Sequence, residues 1–153
     1  MPSSIRAFNI RPAKLTDLDS LCEFADEFLN KMHAKATGKD ARHVFQRVIK
    51  DSEIGLLLVA EHKAGVCAYA YASYEWRSEF GGETLDLVEL FVEQAWRNKG
   101  VAASLIKAVV EKAKQRGIRR ISAEVHAGNA VIERMLDSSG FDPEHRTVWG
   151  LQL

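Results

Sequence analysis

The sequence predicts a mixed α/β fold built on a central sheet of six to seven strands with about four helices. Three observations carry that reading. Apolar residues recur at helical spacing in two segments before residue 51. Three strand-like segments joined by short connections follow between 54 and 92. A strand, a helix and another strand then fit within 84–126, a spacing that predicts a right-handed crossover and parallel strands.

The elements follow in chain order. "RAFNIRPA" (6–13) reads as a first strand, stopped by Pro12. Thr16 or Asp17 can cap a helix to about Lys31, whose apolar face holds Leu18, Leu21, Cys22, Ala25, Phe28 and Leu29. "NKMHAKATGKD" (30–40) is polar, contains a glycine and reads as a mobile loop. A shorter helix over 41–51 groups Val44, Phe45, Val48 and Ile49. The period then changes. "IGLLLVAEH" (54–62) is a buried-strand run, and "KAG" (63–65) is a hairpin connection. In "VCAYAYASYEW" (66–76), alternation puts Cys67, Tyr69 and Tyr71 on one face. Ala68, Ala70, Ala72 and Tyr74 share the other, where the small alanines imply a closely packed neighbour. "RSEFGGE" (77–83) is a loop and "TLDLVELFV" (84–92) a strand, so three strands form an antiparallel meander. Val101, Leu105, Ile106, Val109 and Val110 mark a helix to about Arg116, which Gly117 can end. "RRISAEVH" (119–126) is a strand, 129–140 a helix between Asn129 and Gly140, and 141–153 holds one or two final strands bent at Pro143.

Composition bounds the class. The chain has 153 residues, 46% hydrophobic and 27% charged, which suits one domain spanning 1–153 with a real core. Lys+Arg and Asp+Glu both total 21, so no net field exists to gather nucleic acid, and none is expected as a partner. The stretch "MPSSIRAFNIRPAK" has no apolar segment of a secretory signal, and no run is long enough to span a membrane. Cys22 and Cys67 lack CxxC spacing and are expected as free thiols, so a cytoplasmic setting is expected. No His/Cys/Asp cluster has metal-ligand spacing, so no metal is expected.

The functional signal lies in "EQAWRNKGVAASLIKAVVEKAK" (93–114), where a basic loop enters a helix directly after a strand. A helix start presents unpaired N–H groups and about half a positive charge, which suits phosphate. Gly100 lets ligand oxygens approach the backbone and tolerates a tight turn, and Ala102 is small. Arg97 can hold a phosphate bidentately, with Lys99 as a point charge. Neither G-x-x-x-x-G-K-[ST] nor G-x-G-x-x-G is present. What remains is R-x-x-G-x-A, which by itself also fits an ordinary solvated helix start.

In its context, the motif resembles that of the GNAT superfamily of N-acetyltransferases. The family signature [QR]-x-x-G-x-[GA], opening a helix after a strand, is matched by Arg97, Gly100 and Ala102. An asparagine at the next helix start and a closing Gly-Phe are matched by Asn129 and Gly140-Phe141, and the order of the N-terminal elements agrees. The resemblance implies that acetyl-CoA is the co-substrate and that its acetyl group passes directly to a primary amine of a small molecule or peptide. It implies that the backbone amides of Asn98, Lys99, Gly100, Val101 and Ala102 hold the pyrophosphate. By the same resemblance, Leu90, Phe91 and Val92 pair with the pantetheine arm as an added strand, and Asn129 contacts that arm or the strand beside it. The Val92 N–H takes the place of the oxyanion donor.

Glu89, among the apolar residues of "DLVELFV", is the candidate base; the alternative is a solvated carboxylate at a strand edge. Many family members carry a Tyr seven residues after the helix-start Asn to protonate the leaving thiolate. Here that position is Leu136, and no Tyr follows Tyr74. Either the thiolate leaves unassisted, or Tyr69 or Tyr71 reaches in from the neighbouring strand; a core role competes for both tyrosines. Cys67 reads as a small buried residue. Asp26, Glu27, Glu75 and Glu79 could attract a cationic amine or simply be solvated; His33 and His126 are open in the same way. Trp76 and Phe80 could wall an acceptor site or pack. Two other functions stay open: an acetyl-CoA-binding sensor or partner module with little turnover, favoured by Leu136, and a transferase using another acyl-CoA. A homodimer is expected from family habit and from the strand-like composition of "TVWGLQL".

Overall fold

The strand-like run at 54–92 folds as the expected meander. The computed structural model describes residues 7–126 and 128–153. β1 (Asn9–Pro12), β2 (Gly55–His62), β3 (Gly65–Arg77) and β4 (Gly82–Val92) pair antiparallel in order, and β5 (Ile121–Ala123) joins β4 in parallel. Four α-helices accompany them: α1 (Leu18–Lys31), α2 (Gly38–Lys50), α3 (Val101–Arg116) and α4 (Ala130–Ser138). Residues 1–6, including the first residue of the expected opening strand, lie outside the described residues.

The sheet is covered on both faces. α3 and α4 lie over Ala68, Ala70 and Ala72, burying Val101, Leu105, Ile106 and Val109 against them. The alanines leave room for a helix of that bulk, as their spacing predicts. α1 and α2 cover the other face through Leu21, Ala25, Phe45 and Val48, meeting Leu57, Val59, Tyr69 and Phe91. α1 and α2 meet tightly at Gly38, where an added Cβ would sit 2.3 Å from the Cys22 carbonyl oxygen.

Five expectations are corrected. The sheet has five strands among the described residues, not six to seven, because 141–153 forms no strand. β5 is three residues long rather than the expected 119–126, since β4 turns away from it after Leu87. α2 begins at Gly38, not 41, so the supposed 30–40 loop shrinks: Asp40 accepts from the Thr37 N–H at 2.8 Å. The T-x-x-D spacing was its visible signal. Cys67 does not share the tyrosine face. Ala60 pairs with Ala68 while Glu61 pairs with Val66, so Cys67 is an extra residue at a bulge, and it joins the alanine-side core. Asp17 does not cap α1 through its side chain; it accepts from the Lys14 N–H at 2.7 Å and pairs with Arg11.

Candidate functional site

The site starts from a parity change in β4. Tyr71 faces Glu89 and Ala72 faces Leu87, leaving Val88 as an extra residue. Before the bulge, Leu85, Asp86 and Leu87 pair with β3 on one side and with β5 on the other. Beyond it, Leu90, Phe91 and Val92 pair with β3 alone. One edge of β4 is therefore free of a strand partner where the chain approaches α3.

The loop that follows delivers a second set of free groups. After a short 3-10 turn at Gln94–Trp96, Asn98 and Gly100 adopt left-handed φ values of 61° and 78°. Asparagine is among the few non-glycine residues that tolerate this region. At Gly100 the requirement is conformational, since an added Cβ would meet nothing within 4 Å. The first internal bond of α3 runs from the Ser104 N–H to the Gly100 carbonyl at 3.1 Å. The Val101, Ala102 and Ala103 amides precede it, and no side chain caps the helix. Ala103 thus extends the expected set by one amide.

These two features border one cleft of about 740 Å³. Leu90, Phe91 and Val92 line it, as do Asn98, Gly100, Val101 and Ala102. Asn129 and Leu136 of the α4 segment form part of the opposite wall. Phe28 of α1 and Met32, just past its end, also reach it; their i, i+4 spacing was the sequence cue. The volume is that of an ordinary ligand site.

Several expected side chains are otherwise engaged. Arg97 donates from Nε to the Val92 carbonyl at 2.9 Å, its guanidinium is 3.5 Å from Glu27, and it lies over the Phe91 ring. Lys99 does not line the cleft; its Nζ lies 5.2 Å from the Trp96 ring centroid. The free groups at this helix start are therefore backbone amides. Asn129 caps α4, its Oδ1 accepting from the Ile132 N–H at 3.4 Å.

Glu89 is half-buried on the sheet face toward α1 and α2, beside rather than in the cleft lining. The Tyr69 hydroxyl donates to its Oε2 at 2.8 Å. Burial raises the Glu89 pKa above the usual carboxylate value, and the tyrosine hydrogen bond partly offsets this. Tyr69 is fully buried, and its own pKa is driven up by burial and by the adjacent carboxylate. Tyr71 stands across from Glu89 against Phe45, with its pKa also raised by burial. Neither tyrosine lines the cleft. Leu136 is buried at the wall, where many family members carry a tyrosine.

The other carboxylates do not converge. Asp26 accepts from the Gly38 N–H at 2.7 Å, holding the start of α2. Glu79 is tied to Arg77 and Arg146, which lower its pKa to about 2. Glu75 faces Arg77 at 3.6 Å, and Glu27 is bound to Lys31 and Arg97, two residues of the cleft lining. Trp76 is exposed at the far end of β3, His33 is exposed in a left-handed turn after α1, and the Phe80 ring lies under Arg120. His126 lines the cleft. Cys22 and Cys67 are free, with burial pushing the Cys67 thiol up to about 11. Among the described residues no helix is long and apolar enough to cross a membrane, and no group of three or more His, Cys, Asp or Glu could hold a metal.

A split sheet edge and an uncapped helix start thus meet at one cleft. The chain belongs to the acetyltransferase (GNAT) family, whose model matches residues 18–141. The enzyme class expected from the sequence, an N-acetyltransferase, agrees with that membership. The chain is 28% identical over 142 residues to an uncharacterized N-acetyltransferase of Methanocaldococcus jannaschii, covering 90% of this chain and 62% of that protein. It therefore spans less than two thirds of that relative's length. The crystal structure of a possible acetyltransferase from Clostridium difficile 630 is similar at a TM-score of 0.83 and 17% identity, covering 96% of this chain and 98% of the other. An aminoglycoside N-acetyltransferase, AAC(6')-Iy, in complex with CoA is similar at a TM-score of 0.82 and 17% identity, covering 99% and 98%. At such identities these structures show the fold alone.

Proposed function

We infer that the protein is an acetyl-CoA-dependent N-acetyltransferase that passes an acetyl group directly to a primary amine of a small molecule or peptide. The observation that carries this reading is the meeting, in one cleft, of the unpartnered half of β4 with the uncapped start of α3. The residues present fit coenzyme A. The amides of Asn98 to Ala103 would hold the diphosphate, with the positive end of α3 favouring its charge. The free edge of Leu90 to Val92 would pair with the two amides of the pantetheine arm, and Asn129 would flank it. The thioester supplies the activated acetyl group.

The chain's own residues then have three tasks. Glu89, its pKa raised by burial, takes the proton of an amine arriving from the α1 side. Tyr69 holds the Glu89 carboxylate in place and keeps part of its acidity; it is too buried to serve as the thiolate's proton donor. The Val92 N–H faces the developing oxyanion. A small-molecule acceptor is supported by the aminoglycoside enzyme of the same fold. The same reading takes 1–153 as one domain, places the protein in the cytoplasm and makes it a homodimer.

Leu136 favours a second reading, a sensor that binds the coenzyme without turnover, because the wall offers no tyrosine hydroxyl to the departing sulfur. One experiment separates the two. Thermal shift with acetyl-CoA and with CoA should raise Tm in both readings. Thiol release with a panel of aminoglycosides, polyamines and peptide amines should then appear for the enzyme alone. Absence of any shift with either ligand removes both readings, and a panel of acyl donors separates acetyl from larger groups.

A further inference from the structure

Arg97 ties together two parts of the molecule that a coenzyme and an amine would use separately. Its Nε–H donates to the Val92 carbonyl at 2.9 Å. Its Nη2 is 3.5 Å from Oε1 of Glu27 on α1, and its guanidinium carbon lies 5.9 Å from the Phe91 ring centroid. The Val92 contact falls on the open edge of β4. The Glu93 N–H bonds to the Cys67 carbonyl at 2.9 Å, so Glu93 turns its peptide groups toward β3. Val92, one residue earlier, turns its own the other way. One acceptor on the edge assigned to the pantetheine arm is thus already taken by a side chain.

Glu27 is held from a second direction. Lys31, one turn on along α1, reaches the same Oε1 at 2.8 Å, and its Nζ stands 6.0 Å from the Phe91 centroid. Phe91 lies two residues after Glu89 and shares its face of β4, the face toward α1. Two cations and one carboxylate are therefore grouped at Phe91, a balance that repels a positively charged acceptor. Without Arg97, Lys31 and Glu27 cancel. Oε2 of Glu27 meets no cation among the described residues, so it is open to one.

Resting on the acetyltransferase reading, we propose that Arg97 is a latch between the two substrate sites: it leaves Val92 and Glu27 when coenzyme A binds, and Glu27 then takes an ammonium group of the acceptor. Two changes draw the guanidinium away. The diphosphate on the amides of Asn98 to Ala103 places negative charge beside the next residue in the chain, and the pantetheine arm competes for the Val92 carbonyl. Acceptors with a second cationic nitrogen are favoured, since Glu89 serves the reacting amine and Glu27 the other. Coenzyme and amine then strengthen each other's binding by one shared factor. The Arg97–Glu27 pair is solvent-exposed and such pairs are weak, so the factor belongs at the low end of the usual range, about fivefold.

Calorimetry with CoA and with spermidine as the amine probe tests this without turnover. CoA is titrated first; no binding removes the acetyltransferase reading and the latch together. Where CoA binds, spermidine should bind about fivefold more tightly to the CoA complex than to the free protein. Equal affinity, or no spermidine binding to either form, overturns the latch and leaves the acetyltransferase reading standing. Glu27→Gln should abolish the coupling while binding CoA no more weakly than the parent protein; coupling that persists overturns the role of Glu27. Arg97→Gln, without CoA, should bind spermidine about as tightly as the parent's CoA complex does. An affinity no better than that of the free parent overturns the role of Arg97.

Discussion

Helices α2 and α3 begin in opposite ways. At α2 the Thr37 amide is taken by Asp40 and the Gly38 amide by Asp26, a side chain sent from α1. At α3 no side chain caps the start, the preceding residues turn through left-handed conformations, and the amides open on a cleft. A fold that caps one helix from two directions has the means to cap the other. Leaving α3 bare forgoes the stability that a Ser or Asp side chain supplies at an N-cap of extended conformation. On the proposed reading the start of α3 is left open for an external anion, whereas the start of α2 is tied to side chains of the fold itself.

The largest expected effect would break this comparison outright. Gly100→Trp forces a bulky side chain into φ 78° at the mouth of the amide array. The dissociation constant for CoA should rise about 100-fold, near 2.7 kcal/mol, by calorimetry. An unchanged constant would mean that the bare helix start does not face the ligand.

Next in size is Glu89→Gln. The initial rate should fall by about 10²–10⁴ while CoA affinity stays constant, because the carboxylate stands on the α1 side and not among the amides. The pH dependence follows from the raised pKa. Rate should climb with pH through a limb above the ordinary Glu value of about 4.3, as the base loses its proton. The stability sign is opposite. A carboxyl whose folded pKa is raised favours the folded state only while protonated, so its contribution declines as pH rises from the ordinary value through the raised one. Tyr69→Phe removes a hydrogen bond that favours the carboxylate and should move the rate limb to still higher pH. A limb that stays put would show that Tyr69 does not tune Glu89.

What was legible in the sequence was local. R-x-x-G-x-A after a strand placed the turn at 97–102, the alanine stripe of 68–72 foretold a close helix, and Gly117 ended α3 with φ 80°. What escaped depended on distant partners or on parity. Asp26 looked like a surface carboxylate until Gly38, 12 residues on, came within 2.7 Å. Tyr69 and Glu89 are 20 residues apart and meet only because the bulge at Val88 sets the register. Cys67 changed sides through another bulge, since one extra residue reverses an alternating pattern. The final strand failed for a different reason. Its alternation is genuine, but a strand needs a neighbour, and among the described residues 141–153 finds none.

The smallest effect sharpens the contrast from the other helix. Asp26→Ala frees the Gly38 amide at a crowded contact, where the glycine already lies against the Cys22 carbonyl. The loss should be about 1 kcal/mol, as for other helix caps. That lowers Tm by about 2–4 °C in a chain of this size. Because α2 lies apart from the cleft lining, CoA affinity and turnover should stay at their starting values in calorimetric and thiol-release assays. Asp26→Asn keeps an acceptor oxygen and should recover most of the stability. If Asp26→Ala instead weakened acceptor binding without lowering Tm, the carboxylate would be working for the substrate, and the two helix starts would differ less than their hydrogen bonds indicate.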